Sequence, residues 1–517
     1  MELKKEKIFM KKNTGNSQLQ ITLEEDFNVP DSKPDVEKIV TVDGVIDFVE
    51  KNIVNGKLLL KGTLQFDVLY ISHESEQLVH SIQGKVEFDE MVNMDHITER
   101  SDVQVKWELE DLNISLINSR KISVKSLLAL TCSAWELYEE EFTVEVEEGK
   151  KCQCKYNSMD VTEMKIDKKD LLRLKETFYL PSGKPNIYQV LYQNISLQGM
   201  EIRPMDGQIL VRGEMHVFVL YSTREDGEKI AYYQGEQPFY STLPCEGCAE
   251  NMILQMDYSV QNKELQIQED QDGEERLLEV DVALNLNFSL YEERQVQYLQ
   301  DLYSVDQELH LETEHVNYRH LAMKNNTQKR ITEQMVLEAP QNPILQICHS
   351  MGTIQMDEIL WEDQEISVEG SVAIKILYLG EEDAWPVGEV KVNVPFSHKI
   401  EGVGTKEHKH FEVTPRLAQL GVVLLGKDTL EIKMAIDMET IVFESIPQEK
   451  IVEVSEEDFL QEQLEQMPGM VGYLVQKDED LWTIAKKFHV TVDSICALNL
   501  LEDETVAEGY KLLLARE

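Results

Sequence analysis

Three stretches of the chain alternate apolar and polar residues in the same way. GTLQFDVLY runs from Gly62 to Tyr70, GEMHVFVLY from Gly213 to Tyr221, and GSVAIKILY from Gly370 to Tyr378. After each glycine, every second residue is apolar: Leu64, Phe66, Val68 and Tyr70, then Met215, Val217, Val219 and Tyr221, then Val372, Ile374, Ile376 and Tyr378. Period two predicts a strand with one apolar face. Gln65, Asp67, His216 and Lys375 then point the other way. The first two stretches lie 151 residues apart and the third a further 157 on. A second landmark keeps the first interval, because Pro30 and Pro34 of VPDSKPDVEKI recur 151 residues later as Pro181 and Pro185 of LPSGKPNIYQV. Two landmarks at one period establish an internal repeat.

Each copy also closes on strand-like residues: KISVKSLLALT at 121–131, LLEVDVALNLN at 277–287 and LEIKMAIDMET at 430–440. Helical periodicity is scarce within the copies, so the chain reads as mainly β. The expected organisation is three tandem β-rich domains over 15–135, 165–290 and 330–445. The proline pair reads as punctuation rather than chemistry. Pro34 suits the first position of a short helical turn, with Val36 and Ile39 on its inner side. Asp31, Lys33 and Asp35 become Ser182, Lys184 and Asn186 in copy two and have no charged match around Pro340 and Pro343 in copy three. A catalytic set would not vary in this way, whereas the apolar pairs Val36/Ile39, Ile187/Val190 and Ile344/Ile347 persist.

The pattern then changes. Residues 446–470 are acidic, end near Pro468-Gly469 and are assigned to a linker. From 471 to 515 a different unit follows. Tyr473 and Val475 alternate as a short strand, and Leu481, Ile484, Ala485 and Phe488 recur at helical spacing. Thr491 caps a second helix with Val492, Ile495 and Leu498, and KLLL after Gly509 closes the unit as a strand. The expected order is a small α+β (βααβ) domain.

Charge and cysteine content narrow the function. The 517 residues carry a formal net charge of −46 and 42% hydrophobic residues. The chain has ample core for several domains, and its acidity argues against direct binding to nucleic acid or anionic lipid. The charged start MELKKEKIFMKKNTGN is unlike a secretory signal, and LAQLGVVLLG at 417–426 is too short for a transmembrane segment. Seven cysteines at scattered spacing fit reduced thiols of the cytoplasm better than a disulfide framework. Cys245 and Cys248, with Cys152 and Cys154, would supply four thiolates to a zinc ion, although the spacing of the second pair does not suit a knuckle, and His408 and His410 are two imidazoles with no clear third ligand. No nucleophile-elbow, zinc-protease, P-loop or dinucleotide motif is present, so neither an enzyme nor a cofactor is expected.

The proline turn, the glycine-to-tyrosine strand, LINSRKISVKSLLALT at 116–131 and YLQDLYSVDQEL at 298–309 resemble the repeated β-domain of clostridial spore-coat proteins. The pattern of Tyr473, Leu481, Ile484, Ala485, Phe488, Ile495, Asn499, Gly509 and Leu512 is similar to that of LysM domains. The combination resembles spore-coat morphogenetic proteins. That resemblance implies a coat-assembly protein of the mother cell, localised at the forespore surface, whose LysM domain docks on a SpoIVA-like coat morphogenetic ATPase and which meets other coat proteins. Its contacts would be Lys477, Asp478, Asp480, Leu481, Trp482, Asn499 and Leu500. LysM domains also bind N-acetylglucosamine glycans such as peptidoglycan, normally with a Gly-Asp-Ser/Thr loop. Here that loop reads Asp478-Glu479-Asp480. Three acids do not match a neutral sugar and favour a protein surface with basic groups.

Overall fold

The computed structural model describes residues 1–146, 152–224, 229–337, 343–426, 428–459, 469–501 and 503–516. The first unit holds β1 (Leu3–Asn28), β2 (Lys38–Val54), β3 (Lys57–Ile71), β4 (Val79–Asn93), β5 (Asp102–Asn118) and β6 (Lys121–Val146). The second holds β7 (Cys152–Tyr179), β8 (Gln189–Met205), β9 (Gln208–Ser222), β10 (Ile230–Pro244), β11 (Ile253–Glu269) and β12 (Glu275–Ser304). The third holds β13 (Gln307–Val336), β14 (Ile344–Glu362), β15 (Glu365–Gly380), β16 (Val387–Glu401), β17 (Lys409–Leu424) and β18 (Thr429–Asp458). In each unit one antiparallel sheet has the order β2-β3-β4, β8-β9-β10 or β14-β15-β16. The other has the order β1-β6-β5, β7-β12-β11 or β13-β18-β17.

The two sheets of a unit pack face to face. Leu64, Phe66, Val68 and Tyr70 meet Ile122, Val124, Leu128 and Leu130 in the first core. Met215, Val217, Val219 and Tyr221 meet Leu278, Val280, Val282 and Leu284 in the second. The predicted apolar faces are thus the sandwich cores. The recurring glycine has a steric reason. Gly62 faces Phe88 across the sheet, and a Cβ there would lie 2.6 Å from both that ring and the Asp47 carbonyl oxygen. Gly370 stands in the same relation to Phe396 and the Gln355 carbonyl. An aromatic ring laid over a cross-strand glycine restores the missing side-chain packing.

The proline turn differs from its expectation. No helical turn starts at Pro34; instead the Lys33 N–H closes a tight turn on the Pro30 carbonyl at 2.9 Å. The reason lies in distant strands. The Arg120 guanidinium donates to the carbonyls of Val29, Pro30 and Lys33 at 3.1, 3.0 and 2.6 Å, and the Tyr70 hydroxyl donates to that of Pro34 at 3.1 Å. Copy two repeats the device: the Arg276 guanidinium donates to the Pro181 carbonyl at 2.7 Å and the Tyr221 hydroxyl to that of Pro185 at 3.0 Å. Saturated by side chains, the backbone carbonyls have no need of a helix. Pro340 lies outside the described residues.

β1, β6, β7, β12, β13 and β18 are 26 to 30 residues long, several times the usual strand length. Their outer halves run past the sandwiches and form a three-sided stalk. One stalk layer takes Ile8, Met10 and Phe142 from the first unit, Met159, Val161, Val296 and Tyr298 from the second, and Tyr318 from the third. A layer nearer the tip takes Leu299 and Leu302 with Ile451 and Val454. β18 runs through Asp458, so residues 446–458 are stalk strand paired with β13 rather than linker. Acidic composition misled there because one face of the strand is solvated. Residues 460–468 lie outside the described residues.

The outer faces of the three smaller sheets also meet. Leu69, Ile71 and Val79, then Leu191, Tyr192, Phe218 and Leu220, then Cys348, Leu377 and Val387 share one cluster. Lys375, expected on a free face, donates to the Asp43 carboxylate at 2.7 Å, and the Tyr192 hydroxyl donates to the same group. The three units therefore pack against one another at this junction as well as along the stalk.

Candidate functional site

The C-terminal module comprises β19 (Met470–Leu474), α1 (Leu481–Phe488), α2 (Val492–Asn499) and β20 (Lys511–Ala515), with β19 and β20 antiparallel. Asp480 caps α1: its carboxylate accepts from the Thr483 N–H at 2.8 Å. Partial burial opposes its charge, but hydrogen bonds from Thr483 and the Lys155 ammonium at 3.0 Å prevail and bring the carboxyl down to about 2. Such a cap contributes about 1 kcal/mol. Thr491 caps α2 in the same manner, accepting from Ser494 N–H at 3.1 Å. His489 and Leu500 end the two helices with left-handed backbone, φ 51° and 52°.

The acidic loop is internally organised. The Glu479 carboxylate accepts the Gln476 N–H at 3.0 Å and the Tyr473 hydroxyl at 2.8 Å, which holds its carboxyl below the usual range. Asp478 adopts φ 63°, a conformation Asp tolerates. Lys477 and Asp478 are exposed beside it.

Two of the expected contact residues are structural. Leu481 is 1% exposed and packs with Ile484, Ala485, Ile495 and Leu512 in the module's core. It is the first apolar residue of an amphipathic helix, so its side chain turns inward. Asn499 donates to the Ile495 and Leu513 carbonyls and accepts the Leu513 N–H at 2.7 Å, tying α2 to β20. Its amide is consumed by backbone groups. Leu500, by contrast, is 89% exposed.

Trp482 faces the stalk of the second unit. Its indole N–H donates to Asp301 Oδ2 at 2.8 Å, and its ring meets Tyr303 edge-to-face at 5.0 Å. Lys486 pairs with Asp301 Oδ1 at 2.5 Å. The Tyr303 hydroxyl donates to the Val490 carbonyl at 2.8 Å, and His489 Nδ1 lies 3.2 Å from the Ser304 carbonyl. Asp301, Tyr303 and Lys155 were not predicted as site residues. For Asp301 and Tyr303 the sequence signal was the segment YLQDLYSVDQEL, in which the structure has a register shift between Leu299 and Asp301.

The cysteine pairs are not brought together. Cys245 and Cys248 sit in the sandwich core of the second unit, and burial pushes the Cys248 thiol up. Cys154 packs in the stalk layer near the tip. Among the described residues no group of three or more His, Cys, Asp or Glu is arranged to hold a metal.

A family model of the SipL SPOCS domain matches residues 35–117, 186–268 and 343–425, and a LysM model matches 473–514. The SPOCS matches cover β2–β5, β8–β11 and β14–β17; the long hairpins that build the stalk lie outside them. No curated protein and no solved structure matches the chain. Both families are binding domains rather than catalytic ones. No helix among the described residues is long and apolar enough to cross a membrane. Three tandem SPOCS domains followed by a LysM domain make this chain a SipL-like, sporulation-associated protein.

Proposed function

We propose that the chain is a non-enzymatic assembly protein of the spore coat, which places coat components at the forespore surface by docking its LysM domain on a coat morphogenetic ATPase. The observation that carries this reading is the first LysM loop. Two of its three acids are held in place, Glu479 by Tyr473 and Gln476 and Asp480 by Thr483 and Lys155, and Asp478 between Lys477 and Glu479 is exposed. Carboxylates fixed in this way suit a basic protein surface, and the exposed Leu500 of the same module offers it an apolar contact. The proposed contacts are Lys477, Asp478, Asp480, Trp482 and Leu500, with Leu481 and Asn499 shaping the loops. The SPOCS units add rigid spacing and further contacts to other coat proteins.

The LysM match itself favours a second reading, binding of peptidoglycan glycan. The two are separated by assaying the full chain for capture of the purified coat ATPase and for co-pelleting with peptidoglycan. Leu500→Asp is expected to lower capture tenfold or more, since an exposed anchor is lost without disturbing the core. Capture unchanged by Leu500→Asp, together with pelleting of the wild type, would move the glycan reading to first place.

A further inference from the structure

We propose that the LysM domain is latched onto the stalk of the second unit, with Asp301 as the catch, so that Asp480 and Trp482 are withheld from a partner until the latch opens. This rests on the reading above that those two residues belong to the partner surface.

Asp301 divides its two oxygens between the two chemically different donors of α1. Oδ2 takes the indole N–H of Trp482 at 2.8 Å and Oδ1 takes the Lys486 ammonium at 2.5 Å. A register shift in the β7–β12 pairing falls just before it, between Leu299 and Asp301. Tyr303, 3% exposed, enters the same apolar cluster as Val475, Ile484 and Leu512, and Val305 packs against that cluster. From β7, Lys155 pairs with Asp480 and lies 5.9 Å from the centroid of the Trp482 ring. On the far side, the Phe459 and His489 rings meet at 4.7 Å.

The contact is built to be reversible. Its charged groups stay part-exposed: the Lys155 and Asp480 side chains are 39% and 51% accessible. Ion pairs of this kind contribute little net stability, and interfaces between parts of one chain open readily unless they are large and hydrophobic. The module is part of the same chain as the stalk, so re-docking is intramolecular and favoured by effective concentration. A partner bringing basic groups competes with Lys155 for Asp480 and with the stalk for Trp482. The docked fraction therefore lowers apparent affinity by the factor by which it depletes the competent state.

The test uses the full chain as wild type, Asp301→Ala, Asp301→Asn and Trp482→Ala. Amide hydrogen exchange is followed in residues 299–305 and 481–490, with 511–515 as the internal fold control. Asp301→Ala is expected to speed exchange in the first two segments and leave the third unchanged. It is also expected to tighten capture of the coat ATPase about three- to tenfold. Asp301→Asn keeps an acceptor for the indole and should give a smaller change in the same direction. Unchanged exchange at 481–490 would overturn the latch. Faster exchange with unchanged or weaker capture would overturn the withholding. If Trp482→Ala leaves capture intact, the partner surface lies elsewhere and the withholding falls with it, while the exchange data still decide the dock.

Discussion

His349 shows what a single residue meets at the junction of the three units. Its ring stacks flat on Phe218 at 4.3 Å, and both ring nitrogens are buried with no hydrogen-bond partner among the described residues. Burial brings its pKa down from 6.5 to about 4, against a smaller opposing pull from Asp43. A base with a depressed native pKa stays neutral in the folded chain while the unfolded chain takes up a proton. Stability is therefore unaffected above pH 6.5 and falls as pH drops from about 6.5 to about 4, by about 3 kcal/mol in all. His349→Phe keeps the stacked ring and cannot titrate. The wild type minus variant difference in thermal midpoint should widen across that window and stay flat above it. A constant difference would remove the assignment. Gly62 makes the complementary point. Its recurrence as Gly213 and Gly370 was visible in the sequence, but the reason, a phenylalanine ring and a carbonyl pressed against it, is a cross-strand fact.

Among elements, the proline turn is the clearest case of local residues serving distant strands. The arginine and tyrosine that hold it come from the β5–β6 turn and β3 in copy one and from β12 and β9 in copy two. Arg120→Ala removes three bonds to the turn's carbonyls and is expected to cost about 2 kcal/mol, while Tyr70→Phe should cost about 1 kcal/mol. Both would appear as faster amide exchange in residues 29–37 within an otherwise unchanged first unit. Equal exchange in wild type and Arg120→Ala would show that the prolines alone hold the turn. The strands themselves were legible because period two sorts residues strictly onto two faces. Their lengths were not. β18 continues for thirteen residues past 445 because the stalk offers Ile451 and Val454 a covered face, which composition does not reveal.

On the scale of the whole molecule, unlike side chains at like positions join the units. Thr41, Tyr192 and His349 stand opposite Leu69, Leu220 and Leu377 in the three copies. Divergence at this position gives each unit its own neighbours, so the repeats close in one order. Asp43 links all three, accepting from Lys375 of the third and Tyr192 of the second. Asp43→Ala strands a cation and a buried hydroxyl and is expected to cost about 3 kcal/mol. The loss should show as a lower thermal midpoint with faster exchange in β8 and β15, and Asp43→Asn should recover part of it. No change in either strand would mean the apolar contacts alone hold the junction.

The sequence by itself determined the repeat, the two-faced strands, the module's helices with their Asp480 and Thr491 caps, and the acidic loop. Each follows from contacts within one element or from a fixed period. Tertiary structure alone decided that the polar faces of β3, β9 and β15 become a junction, that Leu481 and Asn499 serve the fold, and that Trp482 rests on Asp301. Those outcomes depend on which surfaces of distant segments meet, and a single face's hydropathy does not say whether water or another unit will cover it.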